Sequence, residues 1–194
     1  MTALRNLTSD SDSNFKREVR IETGMRFGKA TPLPAELKAA ARNVLDAKAK
    51  QKGLLLDSAA TDSLINSICD DMLGFGPLEA LLRDQSITEI MVNGPDQIYI
   101  ETNGRKTLSE TRFDDEGHLR TILDKMLGLA GRRLDESSPF VDFSLNDGSR
   151  INAIISPLAV DGSSVTIRKF LATLKSLDDL VQLKTINEPM SRFL

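Results

Sequence analysis

Tryptophan is absent from the 194 residues, and cysteine, histidine and tyrosine occur once each. With Cys69 alone, no intrachain disulfide and no cysteine zinc site can form. A single thiol fits a reducing compartment. With His118 alone, every site that needs two imidazoles is excluded, His-x-x-x-His metal motifs among them. No run of 18 apolar residues occurs, so no membrane-spanning helix is expected. The first residues carry no apolar segment behind their charges, so no signal peptide is expected and the predicted location is cytoplasmic. No G-x-S-x-G elbow and no complete G-x-x-x-x-G-K-[ST] loop is present. The nearest approach, Gly24 to Ala30, is one residue short and ends in alanine where serine or threonine is required. Large charge of one sign is missing too: 25 basic against 28 acidic side chains leave −3, with a pI of about 5.3. This is not a nucleic-acid polycation, and the scarcity of aromatics argues against nucleic-acid binding through the basic stretch at 16–29.

What is present divides the chain into four parts. Residues 1–33 hold six basic and four acidic side chains and few large apolar ones, so they are expected to form a mobile, disordered arm. Residues 34–84 read as a small helical subdomain. Pro34 opens an Ala-, Lys-, Glu- and Leu-rich stretch with Leu37, Ala41, Val44 and Leu45 on one face, and Gly53 ends it. Asp57 or Ser58 can cap a second helix carrying Leu64, Ile65, Ile68, Cys69 and Met72. Gly74-Phe75-Gly76-Pro77 breaks it, and Pro77 suits the start of a third, short helix. Residues 85–171 then change to short runs rich in β-branched and aromatic side chains: ITEIMVN, QIYIET, KTLSETRF, FVDFSLN, RINAIIS and SVTIRKF. Asn103-Gly104, Asp147-Gly148 and Asp161-Gly162 supply turn signals, which predicts a largely antiparallel sheet. One helix over about 115–130 interrupts it, capped by Asp114 or Asp115, with Leu119, Ile122, Leu123, Met126, Leu127 and Ala130 inward. Residues 172–194 read as a helical linker, opened by Ser176-Leu177-Asp178-Asp179. The last helix signal stops in mid-element, so a further segment is expected to follow. The predicted fold class is α+β.

No complete catalytic constellation stands out. Asp114-Asp115-Glu116 is expected to be a helix N-terminus, where carboxylates face the dipole favourably. His118, one turn on, is expected at the surface. The informative residues are arginines on strands. Period-2 alternation turns Ile151, Ala153 and Ile155 to one face and Arg150 to the other. It likewise turns Val165 and Ile167 inward and Arg168 outward. A planar guanidinium fork suits phosphate. Surface ion pairing is the alternative that pattern leaves open. Arg132, Arg133, Asp135 and Glu136 precede the fourth strand, either as a local salt-bridge network or on the same face.

Gly74-Phe75-Gly76-Pro77-Leu78-Glu79, ITEIMVNGPDQIYIE (87–101), GRRLDESSPFVDFSLNDGSRINAIISPLA (131–159) and SVTIRKF (164–170) together resemble the N-terminal region of the CpaF/TadA-type ATPases. These belong to the superfamily that drives type II and type IV secretion and pilus assembly. The resemblance covers about 60–194. It implies a two-domain subunit of a hexameric ring, an N-terminal domain with a curved sheet, and a RecA-like motor that binds ATP and Mg²⁺ between the domains. It implies that N-terminal-domain arginines, here Arg150 and Arg168, reach the nucleotide phosphates; Arg133, Asp135 and Glu136 are expected as same-face support only from their place before the fourth strand. It implies partners in an inner-membrane platform, with the protein cytoplasmic and peripheral to that membrane. No metal ligand, no nucleic-acid contact and no membrane insertion is expected from these residues themselves. The motor's phosphate loop is not among the 194 residues, so hydrolysis by this stretch alone is not expected. A stand-alone interaction module that binds a complete, related ring is the alternative.

Overall fold

The computed structural model describes residues 10–28, 30–170 and 176–194. Helices α1 (Asp10–Phe27), α2 (Pro34–Lys52) and α3 (Ser58–Leu73) come first, followed by the short α4 (Leu78–Arg83). Strands β1 (Ile87–Asn93), β2 (Ile98–Thr102) and β3 (Arg105–Leu108) precede α5 (Glu116–Leu129). Strands β4 (Phe140–Ser144), β5 (Arg150–Ile154) and β6 (Ser164–Arg168) follow it, and α6 (Leu177–Gln182) and α7 (Glu188–Phe193) end the chain. This is the α+β architecture expected, with one correction. The disordered arm is a helix over Asp10–Phe27, and Phe15, Val19 and Thr23 are buried along it. Among the described side chains, Phe15, Val19 and Thr23 at i, i+4 and i+8, with Phe27 partly buried at i+12, form a stripe too narrow to stand out in a polar segment. Residues 1–9 and 29 of that expected arm, 171 of the expected sheet region and 172–175 of the expected linker lie outside the described residues.

Local chemistry sets the element ends. Pro34 occupies the first turn of α2, and Gly53 closes the helix in the left-handed region at φ 64°. Asp57 caps α3 by accepting from the Ala60 N–H at 2.6 Å. Ser176 and Asp179 form a reciprocal capping box on α6. Asn103 and Gly104 both take positive φ, 52° and 74°, so the β2–β3 turn is the type I′ hairpin that Asn-Gly favours. Asp147-Gly148 instead lies in a longer loop, with the Asp147 carboxylate accepting from the Ser149 N–H.

All neighbouring strands pair antiparallel, in the order β3-β2-β1-β6-β5-β4. Chain order places β3 at one edge and β4 at the other, so α5 carries the chain between the two edges. Register aligns two apolar rows on the inner face: Phe143–Ile151–Ile167–Ile90–Ile100 and Val141–Ala153–Val165–Val92–Ile98. Leu119, Ile122, Leu123, Met126 and Leu127 of α5 share a core with these rows and with Leu78 and Leu81 of α4. Each fully buried large apolar side chain contributes about 1.5–3 kcal/mol. A second core, of Leu37, Ala41, Val44, Leu45, Leu64, Ile65 and Ile68 with Phe15 and Val19, holds α1, α2 and α3.

The two cores meet at the Gly74–Pro77 break. The Lys125 ammonium of α5 donates to the Met72 and Gly74 carbonyls, closing the C-terminus of α3. Lys169 does the same for α4, donating to the Leu81 and Asp84 carbonyls. Gly76 sits at φ 58°, and a Cβ there would stand 3.1 Å from both Asp71 Oδ1 and Ile122 Cδ1. Gly76→Ala is therefore expected to cost at least about 1–2 kcal/mol of stability in urea unfolding, from the left-handed backbone alone. An unchanged midpoint would show that the break tolerates repacking.

Candidate functional site

The outer face of the sheet is polar, because the same register that buries one set of side chains turns the alternate set outward. One outer row reads Ser144–Arg150–Arg168–Glu89–Glu101–Lys106, and the next reads Asp142–Asn152–Thr166–Met91–Tyr99–Leu108. Arg150 and Arg168 are direct cross-strand partners, and both are exposed. Among the described residues neither side chain makes an ion pair or hydrogen bond. Like charges directly opposite on a sheet repel, a cost that Glu89, opposite Arg168 on β1, offsets in part and that a bound anion would lower further. Asn152 donates to Asp142 at 2.9 Å in the adjacent row, so that part of the face is already satisfied.

The other expected site residues are not brought to this pair. Arg133, Asp135 and Glu136 lie in the loop that enters β4 at Phe140, the end of the strand remote from the Ser144–Arg150 partners. Asp135 bridges to Ser138, and its carboxylate accepts from the Ser137 and Ser138 N–H groups and the Ser137 hydroxyl. These hydrogen bonds, that from the Ser137 hydroxyl foremost, hold the Asp135 carboxyl below the usual range. Its charge is spent on its own turn. Arg133 and Glu136 are exposed.

Sequence reasoning missed a charged cluster on the other side of α5. His118 is buried rather than at the surface, at 6% exposure, because α1 covers the start of α5. Around it converge Lys16 and Arg20 of α1, Asp71 of α3 and Asp114 just before α5. Lys16 and Arg20 reach Asp71 Oδ2 at 3.2 and 2.9 Å, and Arg20 reaches Asp114 Oδ2 at 3.3 Å. The imidazole lies between the carboxylates, with Nε2 3.4 Å from Asp71 Oδ1 and Nδ1 3.3 Å from Asp114 Oδ2. Asp115 fills the expected capping role and accepts from the His118 N–H at 2.7 Å. The i, i+4 spacing of Lys16 and Arg20, parallel to Phe15 and Val19, is the one signal of it that the sequence carries.

Electrostatics in the cluster follow from burial and pairing. Burial alone would raise the Asp71 carboxyl. The hydrogen bond with His118 and the charges of Lys16, His118 and Arg20 outweigh it and leave the carboxyl below its ordinary value. The same balance lowers Asp114. Burial would lower the His118 pKa, and hydrogen bonds to Asp114 and Asp71 overcome it and raise the value above the ordinary 6.5. One ligand-type atom each from Asp71, Asp114 and His118 lie within 4.8 Å of one another. Lys16 and Arg20 already neutralise the two carboxylates, and a divalent cation would be set against both.

Comparison with known proteins covers the sheet and, of this cluster, Asp71, Asp114 and His118. The family described as "Type II/IV secretion system protein" matches residues 71–194. The chain belongs to that family. A putative conjugal transfer protein of Mycobacterium tuberculosis is 31% identical over 104 residues, 50% of this chain and 30% of that one. The type IV secretion system protein VirB11 of Bartonella quintana is 29% identical over 132 residues, 60% of this chain and 36% of that one. The crystal structure of the VirB11 ATPase from the Brucella suis type IV secretion system, in complex with sulphate, superposes with a TM-score of 0.50. It is 27% identical and covers 57% of this chain and 34% of that one. The chain thus spans about a third of the length of these relatives. The matched region begins within α3 and takes in the whole sheet, and it leaves out α1 and α2. No helix of the described residues is long and apolar enough to cross a membrane.

Proposed function

We propose that this chain is the N-terminal domain of a secretion or pilus-assembly ATPase of the CpaF/TadA type, and that Arg150 and Arg168 supply charge to its ATP site. The observation that carries the reading is the cross-strand pair itself: two exposed, unpaired guanidinium groups held side by side by the β5–β6 register. Family membership and the likeness to the VirB11 ATPase support it. Arginine forks match phosphate oxygens, and strands paired on both sides hold their backbone still. The twin arginines fit a triphosphate as contacts to its periphery. Mg²⁺ and the phosphate-cradling loop would belong to motor-domain residues absent from this sequence. Bound ATP would contribute the scissile phosphoanhydride, and the arginines would stabilise its negative charge. A hexameric ring on the cytoplasmic face of a membrane platform completes the proposal.

The direct test is a titration of the 194-residue chain with sodium triphosphate, followed by amide NMR. Weak binding, on the order of millimolar, is expected because most donors of a full nucleotide site are missing. Shifts should concentrate at the Arg150 end of β5 and the Arg168 end of β6 and fade with added salt. Shifts that persist unchanged in an Arg150→Ala/Arg168→Ala variant would remove this pair from the phosphate site.

A further inference from the structure

We propose that the Asp71–His118–Asp114 cluster is a pH-sensitive latch that holds the N-terminal helix α1 against α3 and α5. The helix has little else to hold it. Its buried side chains are Phe15, Val19 and Thr23, and the Thr23 hydroxyl is satisfied within the helix by the Val19 carbonyl at 2.7 Å. Among the described residues, partly buried Phe27 and a set of ion pairs supply the remaining attachment. Lys16 and Arg20 meet Asp71 and Asp114, while Arg17 meets Asp115 at 3.4 Å at the exposed rim. On α2, Lys48 and Lys52 reach Glu18 and Glu22 at the surface.

Two buried oxygens single out the imidazole as the titrating element. Asp71 Oδ1 and Asp114 Oδ2 have no hydrogen bond from any other protein group, and each is the carboxylate oxygen that faces a ring nitrogen of His118. Only the imidazolium carries a proton on both nitrogens and can donate to both. Neutral imidazole serves one carboxylate and leaves the other to the cations of α1, with Arg20 Nη1 2.9 Å from Asp71 Oδ2 and 3.3 Å from Asp114 Oδ2. The freed ring nitrogen then faces Arg20 Nη1 at 3.1 Å or the Asp114 N–H at 3.3 Å. The Phe113 ring stands nearly perpendicular to the imidazole on another side, 5.5 Å between centroids. The charged groups facing His118 are therefore Lys16 and Arg20 from α1, Asp71 from α3, and Asp114 with Asp115 from the α5 entry. Lys125, further along α5, faces Asp71.

The sign follows. Docking of α1 buries His118 and sets Arg20 beside it, and both effects lower the imidazole pKa. Asp71 and Asp114, which raise it, stay in place when α1 leaves. A group whose pKa is lower in the docked state leaves docking intact above the undocked value and weakens it as pH falls through that value. Asp71 and Asp114, lowered in the docked state, contribute above the ordinary carboxylate value of 3.8 and lose it as pH falls. Docking of α1 is thus strongest above the His118 midpoint and weakens as pH falls through it, because the imidazolium competes with Lys16 and Arg20 for the same two carboxylates. Release would uncover the α2–α3 surface that Phe15 and Val19 now cover.

His118 is the single histidine, so its ring resonances need no assignment. We would titrate the 194-residue chain by imidazole NMR and follow α1 amide exchange, corrected for intrinsic rates, from pH 5.5 to 8.5. The expected result is a ring midpoint above 6.5 and α1 protection that rises at least about threefold across that range, with the same midpoint. Arg20→Gln should move the ring midpoint up, because a repelling cation is gone, and Asp71→Asn should move it down. His118→Gln should flatten the α1 exchange profile. A ring midpoint at or below 6.5 would overturn the proposal, as would an α1 profile that keeps its slope in His118→Gln. If that variant fails to fold by circular dichroism, wild type alone decides, and non-coincident midpoints of ring titration and α1 exchange overturn it.

Discussion

Replacing Arg168 with alanine in the complete ATPase is expected to lower ATP turnover by about 10²–10³-fold, the usual loss when one preorganised donor to developing charge is removed. A fully committed arginine on a transferring phosphoryl group would lose more, up to about 10⁵-fold. The residue is well placed for either. Its strand β6 is paired on both sides, by β1 and β5, so its Cα is fixed by Glu89 on one flank and Arg150 on the other. The same geometry separates catalysis from folding. Arg168 is exposed, holds no ion pair among the described residues and faces a like charge. Its removal should leave the unfolding midpoint unchanged or slightly raised, within about 0.5 kcal/mol. Arg168→Lys should recover little activity, since a point charge does not replace a planar fork. Full turnover in Arg168→Ala, with the fold intact, would withdraw the nucleotide role assigned to this residue.

How far such a site is legible in the amino-acid sequence depends on which interactions build it. The arginine pair rests on period-2 alternation and on two strands whose apolar halves, Ile151-Ala153 and Val165-Ile167, are unambiguous. The strands carry β-branched runs, helices α2 to α7 each open on a proline, aspartate, serine or asparagine, and Gly53 and Gly74 end α2 and α3. Register between β5 and β6 is not legible, because the long connection from Ile155 to Ser163 is no tight hairpin, and Asp161-Gly162 forms no two-residue turn there. Nor is α1. Its charged side chains outnumber its apolar ones, and its partners are 50 to 100 positions away, as Arg20 with Asp71 and with His118 shows. A polar helix that docks through buried charge has no periodic hydrophobic signature to read. The placement of His118 fails for the same reason, since its cover is α1.

That buried charge also sets the largest stability effect to be expected. Asp71 has a side chain 2% exposed and is the common partner of Lys16, Arg20 and His118. Asp71→Ala would leave two cations and a histidine facing one remaining buried acceptor, Asp114. Breaking one side of a buried ion pair costs about 3–5 kcal/mol, because the orphaned charge keeps its desolvation penalty. Lys16 and Arg20 retain 15% and 20% exposure and can turn partly toward water, which places the expected loss near about 3 kcal/mol. The loss should be local before it is global. Asp71 sits where the α1–α3 core meets the α5 face, so α1 amides should lose protection first while β1 and β6 keep theirs. Asp71→Leu combined with Lys16→Met and Arg20→Met should restore most of the stability, since an apolar replacement of a buried ion network is often neutral. Amide exchange on the three proteins measures this directly. Equal protection of α1 in wild type and Asp71→Ala would mean that Phe15 and Val19 hold the helix unaided. In that case the cluster would contribute nothing to its docking.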